Sequence, residues 1–377
     1  MEDIIFFLFF LLSIVNIKIK GSNDFFNDYM NLENTSPIKG IFVWMIIFSH
    51  NNSYYKKKYR YKYIHVKILK YFGQKMVSIF LFYSGYGISE SIDRKGINYV
   101  KTLPKKGLIL YIKFQLILLI FLLNNLILGI KISIKKYLLS VIFKTNIGNS
   151  NWFAFTIICL YIFSYLSFRF IIKKKNIIIG FIILSNLCLM HIYFVFNYFY
   201  PKKSYSVDNI LCFINGMFYS LLKNYLNKIF MRNDIFYFGN TSIIILLYYY
   251  FYKKKRKINI ILISIKNCLF CIIIVLLTMK IRFKNEFLLF LNTHSYSIYL
   301  LQRQVMIIFF RKRYFCNNEF IRFFFMFFII LFESNLFDKY TNFINKIFDN
   351  KFNKNKNNVI NKNDFKYNNE EKNMILN

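Results

Sequence analysis

The feature that most constrains this chain is a repeated alternation. Apolar runs of helical length are separated by short basic loops, with runs at about 4–19, 39–55, 76–92, 107–130, 151–172, 177–197, 208–222, 235–252, 258–281, 287–310 and 319–337. A helix crossing the hydrocarbon core of a bilayer needs roughly 17–25 mostly apolar residues, and most of these runs reach that length. The shorter ones are extended by Lys and Tyr side chains that snorkel to the interface. The runs are continuously apolar rather than alternating, so helices and not barrel strands satisfy the backbone in lipid. The expectation is an all-α, polytopic membrane bundle of about ten core helices plus one extra N-terminal helix.

Composition agrees once the charge is located. The chain is 56% hydrophobic and carries a net charge of +35, a combination that would suggest nucleic acid if the cations shared one soluble face. They lie instead between the runs, at Lys56-Lys57-Lys58, Lys105-Lys106, Lys173-Lys174-Lys175, Lys253-Lys254-Lys255-Arg256-Lys257 and Arg311-Lys312-Arg313. There they meet lipid phosphates, and no nucleic-acid partner is expected. Phe, Tyr, Ile, Lys and Asn share AT-rich codons, so part of the charge reflects base composition. Six cysteines in 377 residues exclude a disulfide scaffold. The first run has an acidic start, Met1-Glu2-Asp3, and Lys18 and Lys20 behind it, which predicts an uncleaved helix with those lysines inside the cell. Residues 339–377, rich in Asn and Lys, read as a largely disordered cytoplasmic tail.

Ionisable and polar residues inside apolar helices are costly and are therefore the functional candidates. Lys39 and His50 lie eleven positions apart in one run, close to three full turns, so both fall on one helix face about 16 Å apart along the axis. A cation near the surface could hold a phosphate while the imidazole works deeper in, and imidazole is well matched to moving protons near neutral pH. A snorkelling Lys and a His at a helix end fit the same spacing. Ser84, Gly87 and Ser91 share a face suited to close helix packing. In the run at 287–310, Ser295, Tyr299, Gln302 and Met306 form a face with Arg303 beside it. A Gln–Arg pair there implies a cavity or a partner. Asp208 reads as a helix N-cap, Cys268 and Cys271 as core thiols without a metal, and His65 and His191 have no evident partner.

Several of these segments together resemble the acyltransferase-3 family of bacterial membrane acyltransferases. Lys39-x10-His50 resembles the family's Arg-x10-His, with Lys for Arg. Phe80-Leu81-Phe82-Tyr83-Ser84-Gly85-Tyr86 resembles its Phe-Phe-x-x-Ser-Gly-Phe/Tyr motif, and Asn151-Trp152-Phe153 its Trp-Phe/Tyr segment. Asn209-x-x-Cys212-Phe213-x-x-Gly216 and Ser295-x-x-Ile298-Tyr299-Leu300-Leu301-Gln302-Arg303 resemble two signatures of one bacterial branch. The basic stretch Pro104-Lys105-Lys106-Gly107 lacks the Arg usual in relatives.

The resemblance implies a membrane domain over 39–338, with 1–38 as a preceding helix and connector. It implies transfer of an acyl group, acetyl above all, from acyl-CoA to a hydroxyl of a surface glycan or its lipid-linked precursor. The cytoplasmic membrane is the implied location, with Lys39 on the cytoplasmic side. His50 is then the general base or proton relay. Lys39 holds a donor phosphate, and Gln302 and Arg303 line the donor or acceptor cavity. Ser84, Gly85 and Tyr86, with Trp152, Asn209 and Tyr299, shape the site. Acetyl-CoA acts as a donor substrate, and neither a bound cofactor nor a metal is expected. A glycan-precursor carrier without acyl chemistry, or an inactive paralogue, are the alternatives.

Overall fold

The computed structural model describes residues 2–54, 63–170, 177–200, 207–253, 260–311 and 318–343. The expected tail begins inside α15, which runs to Phe343, and its remainder, with most of the basic loops at 56–58, 173–175, 254–257 and 312–313, lies outside these residues. The fold is helical: α1 (Glu2–Ile14), α2 (Leu32–Ser53), α3 (Ile64–Phe72), α4 (Lys75–Lys95), α5 (Ile97–Val100), α6 (Leu103–Ile127), α7 (Ile134–Val141), α8 (Trp152–Phe168) and α9 (Ile177–Phe194). These are followed by α10 (Ile210–Phe230), α11 (Asp234–Lys253), α12 (Ile260–Lys280), α13 (Glu286–Thr293), α14 (Ser295–Arg311) and α15 (Glu319–Phe343).

Among the described residues, five helical stretches are long and apolar enough to cross a membrane: α5–α6 together, α9 with the π turn after it, α11, α12 and α15. Their surfaces carry exposed Ile, Leu and Phe in number, as lipid contact requires. The helices α2, α4 and α10 fall outside that set because they carry more polar residues, and α14 because it has only 17 residues; these helices meet around the cavity described below. The chain is a helical membrane protein whose polar helices are wrapped by apolar ones.

Close helix contacts are set by glycine. A Cβ on Gly85 of α4 would meet the carbonyl oxygen of Phe213 at 2.0 Å, and one on Gly216 of α10 would meet that of Phe82 at 2.0 Å. Gly40 likewise seats α2 on α13, where a Cβ would lie 2.1 Å from the Leu288 oxygen. Small residues let backbones come together where no hydrophobic force separates helix from lipid. An aromatic cluster ties the two ends of the chain. Phe9 of α1 meets Phe327 of α15 at 4.8 Å between ring centroids, and Phe48 of α2 meets Phe323 at 4.4 Å. The buried Trp44 indole donates to Ser13 Oγ at 3.0 Å.

Four details depart from the sequence reading. The first helix ends at Ile14, because Asn16 turns the chain at φ 61°, a conformation Asn tolerates. Ile17–Ile19 then pairs antiparallel with Ile281–Phe283, a ribbon that links residues far apart in the sequence and lacks any local signal. The second helix begins at Leu32, so Pro37 lies inside it rather than at its boundary. The run at 287–310 is broken at His294 into α13 and α14. Asn285 caps α13, accepting from Leu288 N at 3.3 Å, and His294 is held by Asp338, its Nδ1 2.7 Å from Oδ2.

Candidate functional site

A cavity of about 1050 Å³ opens between α2, α4, α6, α8, α10 and α14. Consecutive helices run up and down, so the start of α2, the end of α4, the start of α6 and the start of α14 fall at one end. That end is cationic. Lys39, Arg94, Lys106 and Lys223 all line it, against Glu33 and Glu90. Glu90 is engaged by Ser220, which donates to it at 2.9 Å, and lies 4.0 Å from Arg94. Lys223 donates to Tyr86 Oη at 3.1 Å, and Lys106 lies over the Tyr99 ring at 4.2 Å. Lys39 is half-buried and has no hydrogen bond or ion pair among the described residues. An unpaired cation on a membrane-embedded wall is expensive unless an anion joins it.

The other end is formed by Val43 and Ile46 of α2, Phe153 and Ile157 of α8, and Tyr299 and Gln302 of α14. His50 lies one turn past Ile46, with its ring 6.1 Å from that of Tyr299. The Gln302 side chain sits against the imidazole, and Arg303 is near enough to act on both His50 and Tyr54 electrostatically. Nδ1 of His50 is buried without a hydrogen-bond partner among the described residues, as is Nε of Arg303. Lys39 and His50 therefore bracket the cavity along one helix, separated by the ~16 Å that eleven helical residues span.

The candidates divide into two groups. Lys39, Ser84, Tyr86, Tyr299 and Gln302 come together on the cavity wall, and Gly85 fixes the α4–α10 contact behind it. His50 and Arg303 sit beyond the far end, while Trp152 stands at the start of α8 beside the lining residue Phe153. Asn209 is elsewhere: its Oδ1 accepts from Asn267 Nδ2 at 2.8 Å, which ties α10 to α12. Asn209 also occupies the N-cap position of α10, the place expected for Asp208, and makes no side-chain cap bond. His65 bonds Asp3 at 2.7 Å and Asn52 at 3.2 Å, and His191 lies between Phe155 and Phe163. Cys212 and Cys268 are 3.7 Å apart, and Cys271 lies 3.4 Å from Ser78.

Sequence reasoning missed Arg94, Lys223 and a buried carboxylate. Arg94 follows Glu90 and Tyr86 at four-residue spacing, so its place on the cavity face was readable. Lys223 depends on how α10 crosses α4, which no local pattern gives. Asp338 of α15 accepts from Lys113 at 2.9 Å and Ser297 at 2.6 Å besides contacting His294, joining α6, α14 and α15 behind the cavity.

Apolar helices here enclose a cavity lined at one end by cations, with a histidine just past its other end. The acyltransferase domain of the acyltransferase-3 family matches residues 38–334, and the chain belongs to that family. It is thus a membrane acyltransferase. No curated protein and no solved structure matches the chain.

Proposed function

We propose that the chain moves an acyl group, acetyl in the first instance, from acyl-CoA to a hydroxyl of a surface glycan or its lipid-linked precursor. The observation that carries this reading is the cavity bracketed by unpaired Lys39 and by His50. The phosphates of CoA suit the cationic end, and the thioester at the end of its long arm suits the histidine end. Lys39 supplies charge without the bidentate fork of Arg. Lys106, Arg94 and Lys223 add three more cations to that end, which supports an active enzyme rather than a decayed copy.

In the reaction the acceptor hydroxyl attacks the thioester carbonyl carbon and passes its proton to His50. The tetrahedral adduct collapses, the carbon–sulfur bond breaks, and the CoA thiolate takes the proton back from the imidazolium. Ten core helices in the cytoplasmic membrane, with the Lys39 end toward the cytoplasm, complete the proposal. The test is His50→Ala with [14C]acetyl-CoA and membranes carrying the full chain. Label transfer to membrane glycan falls to background. Undiminished transfer at normal protein level refutes the assignment.

A further inference from the structure

Arg303 has no hydrogen bond or ion pair among the described residues, and its Nε is buried. An unpaired guanidinium inside a membrane bundle needs a partner that arrives during function. Its surroundings say which. The segment before α8 runs along the face of α14 on which positions 299, 303 and 307 recur: Phe153 meets Tyr299 at 5.1 Å between centroids, and a Cβ on Gly148 would lie 2.9 Å from Ile307 Cδ1. Arg303 springs from the middle of that face, one turn from each contact.

The facing segment is fixed. Asn125 donates to the Ile147 oxygen at 2.8 Å, and Asn151 donates to the carbonyls of Phe143 and Thr145 at 2.7 and 2.6 Å. Within it Asn149 is only 2% exposed; its Oδ1 accepts from Ile147 N, and its Nδ2 is buried with no hydrogen-bond partner among the described residues. A rigid amide donor and a guanidinium, both without a hydrogen-bond partner among the described residues, thus lie on two facing segments just beyond the lining residues Phe153 and Tyr299.

We propose that Arg303 and Asn149 are the donors that hold the oxyanion formed during acyl transfer. This rests on the reading of His50 as the base. When the acceptor oxygen bonds to the thioester carbon, the carbonyl π pair moves onto its oxygen. That oxygen carries the negative charge until the pair returns and expels the thiolate. Donors fixed before the reaction stabilise such charge without reorganising. The assignment moves Arg303 from lining the donor or acceptor cavity to the reacting atoms, far from the phosphates that the pantetheine arm of CoA holds away from its thioester.

The experiment uses the full chain with Arg303→Gln, Arg303→Lys, Asn149→Ala and His50→Ala. Turnover is measured with [14C]acetyl-CoA and membrane glycan. Binding is measured with S-acetonyl-CoA, a thioether analogue that cannot transfer its group. Arg303→Gln is expected to lower kcat about 100- to 1000-fold, the cost of one oxyanion donor. KM for acetyl-CoA and binding of S-acetonyl-CoA stay at the unmutated values. Arg303→Lys recovers part of the rate, and Asn149→Ala lowers kcat in the same KM-neutral way. A loss confined to KM and analogue binding makes Arg303 a phosphate ligand and overturns the proposal, as does an undiminished kcat in both single variants. If Arg303→Gln does not fold, Asn149→Ala decides by the same criteria. Active His50→Ala refutes the base itself; inactive His50→Ala beside fully active Arg303→Gln and Asn149→Ala refutes only the oxyanion site.

Discussion

Gly85→Ala is the sharpest test of how the cavity wall is built. The added carbon would sit 2.0 Å from the Phe213 carbonyl oxygen, while contacts under 3.0 Å are essentially unknown for real Cβ atoms. The blocking atom is backbone, so α4 and α10 must separate by at least 1.0 Å, the difference of those two distances. A gap of that size forfeits a quarter to a half of the dispersion well of each atom pair across it. Taking about 40 pairs at about 0.15 kcal/mol each, losing a third costs about 2 kcal/mol. Ala is favoured over Gly in a helix by about 1 kcal/mol, and overpacking costs about 1–3 kcal/mol, so a net loss of about 1–3 kcal/mol is expected.

Gly216→Ala acts at the same crossing from the other side, against the Phe82 oxygen. Once one substitution has parted the helices, the second finds room. The double variant is therefore expected to cost clearly less than the sum of the singles, which is the signature of sites in direct contact. Gly239→Ala is the control, since nothing lies within 4 Å of its Cβ position. Thermal unfolding in detergent, followed by size-exclusion recovery, reads all four. Singles as stable as the unmutated chain, or a strictly additive double, would refute the backbone contact. The same parting stretches the 3.1 Å Lys223–Tyr86 bond that spans the two helices, so KM for acetyl-CoA is expected to rise in parallel.

Three further outcomes are expected. Lys39→Ala raises KM for acetyl-CoA with little change in kcat, and Lys39→Arg lowers KM or leaves it level because the guanidinium offers a bidentate grip; initial rates across donor concentration check both. Ser13→Ala strips the buried Trp44 indole of its acceptor and destabilises by about 1–3 kcal/mol, readable in the same melts. Asp338→Ala leaves Lys113 buried and unpaired at about 3–5 kcal/mol, whereas Lys113→Met with Asp338→Leu regains most of that stability.

What the sequence disclosed follows from the range of the interactions involved. The apolar runs announce helices because lipid enforces them locally, so every run reappears as helix, although α2 begins at Leu32 rather than 39, α10 extends to Phe230 rather than 222, and the run at 287–310 is split. The Lys39–His50 pairing was legible because both residues ride one helix. Residues assembled by crossing helices were not legible: Lys223 reaches the cavity only because glycines bring α10 against α4. The break at His294 was hidden for a similar reason. Nothing within 287–310 interrupts the helix by composition, and the carboxylate that holds the break comes from α15, 44 residues on. Lys113 did carry a signal, as a charge inside the run at 107–130, equal in kind to the one that singled out Arg303, whereas Asp338 falls just past the run at 319–337.

The family match covers 38–334, yet the cavity does not respect its edges. Met30, Asn31, Leu32, Glu33 and Thr35 line the Lys39 end. They are held there from outside the matched region: Tyr29 Oη donates to Asn227 at 2.7 Å and lies 2.8 Å from Tyr219 Oη, and Asp28 pairs with Arg282. The ribbon of Ile17–Ile19 with Ile281–Phe283 anchors the segment further, with Lys20 N donating to the Lys280 oxygen at 2.9 Å and Lys280 pairing with Asp234 at 2.5 Å. The residues before 38 thus pack as part of the bundle and supply one wall of the cavity mouth. Asp338, four residues past the other edge, fixes the turn from which Tyr299, Gln302 and Arg303 descend toward His50. The matched domain supplies Lys39, His50 and α14, and the flanks set where two of the cavity's walls stand. Substitutions that change which donor fits should therefore concentrate at positions 30–35, whereas those that abolish transfer outright should fall at His50 and along α14.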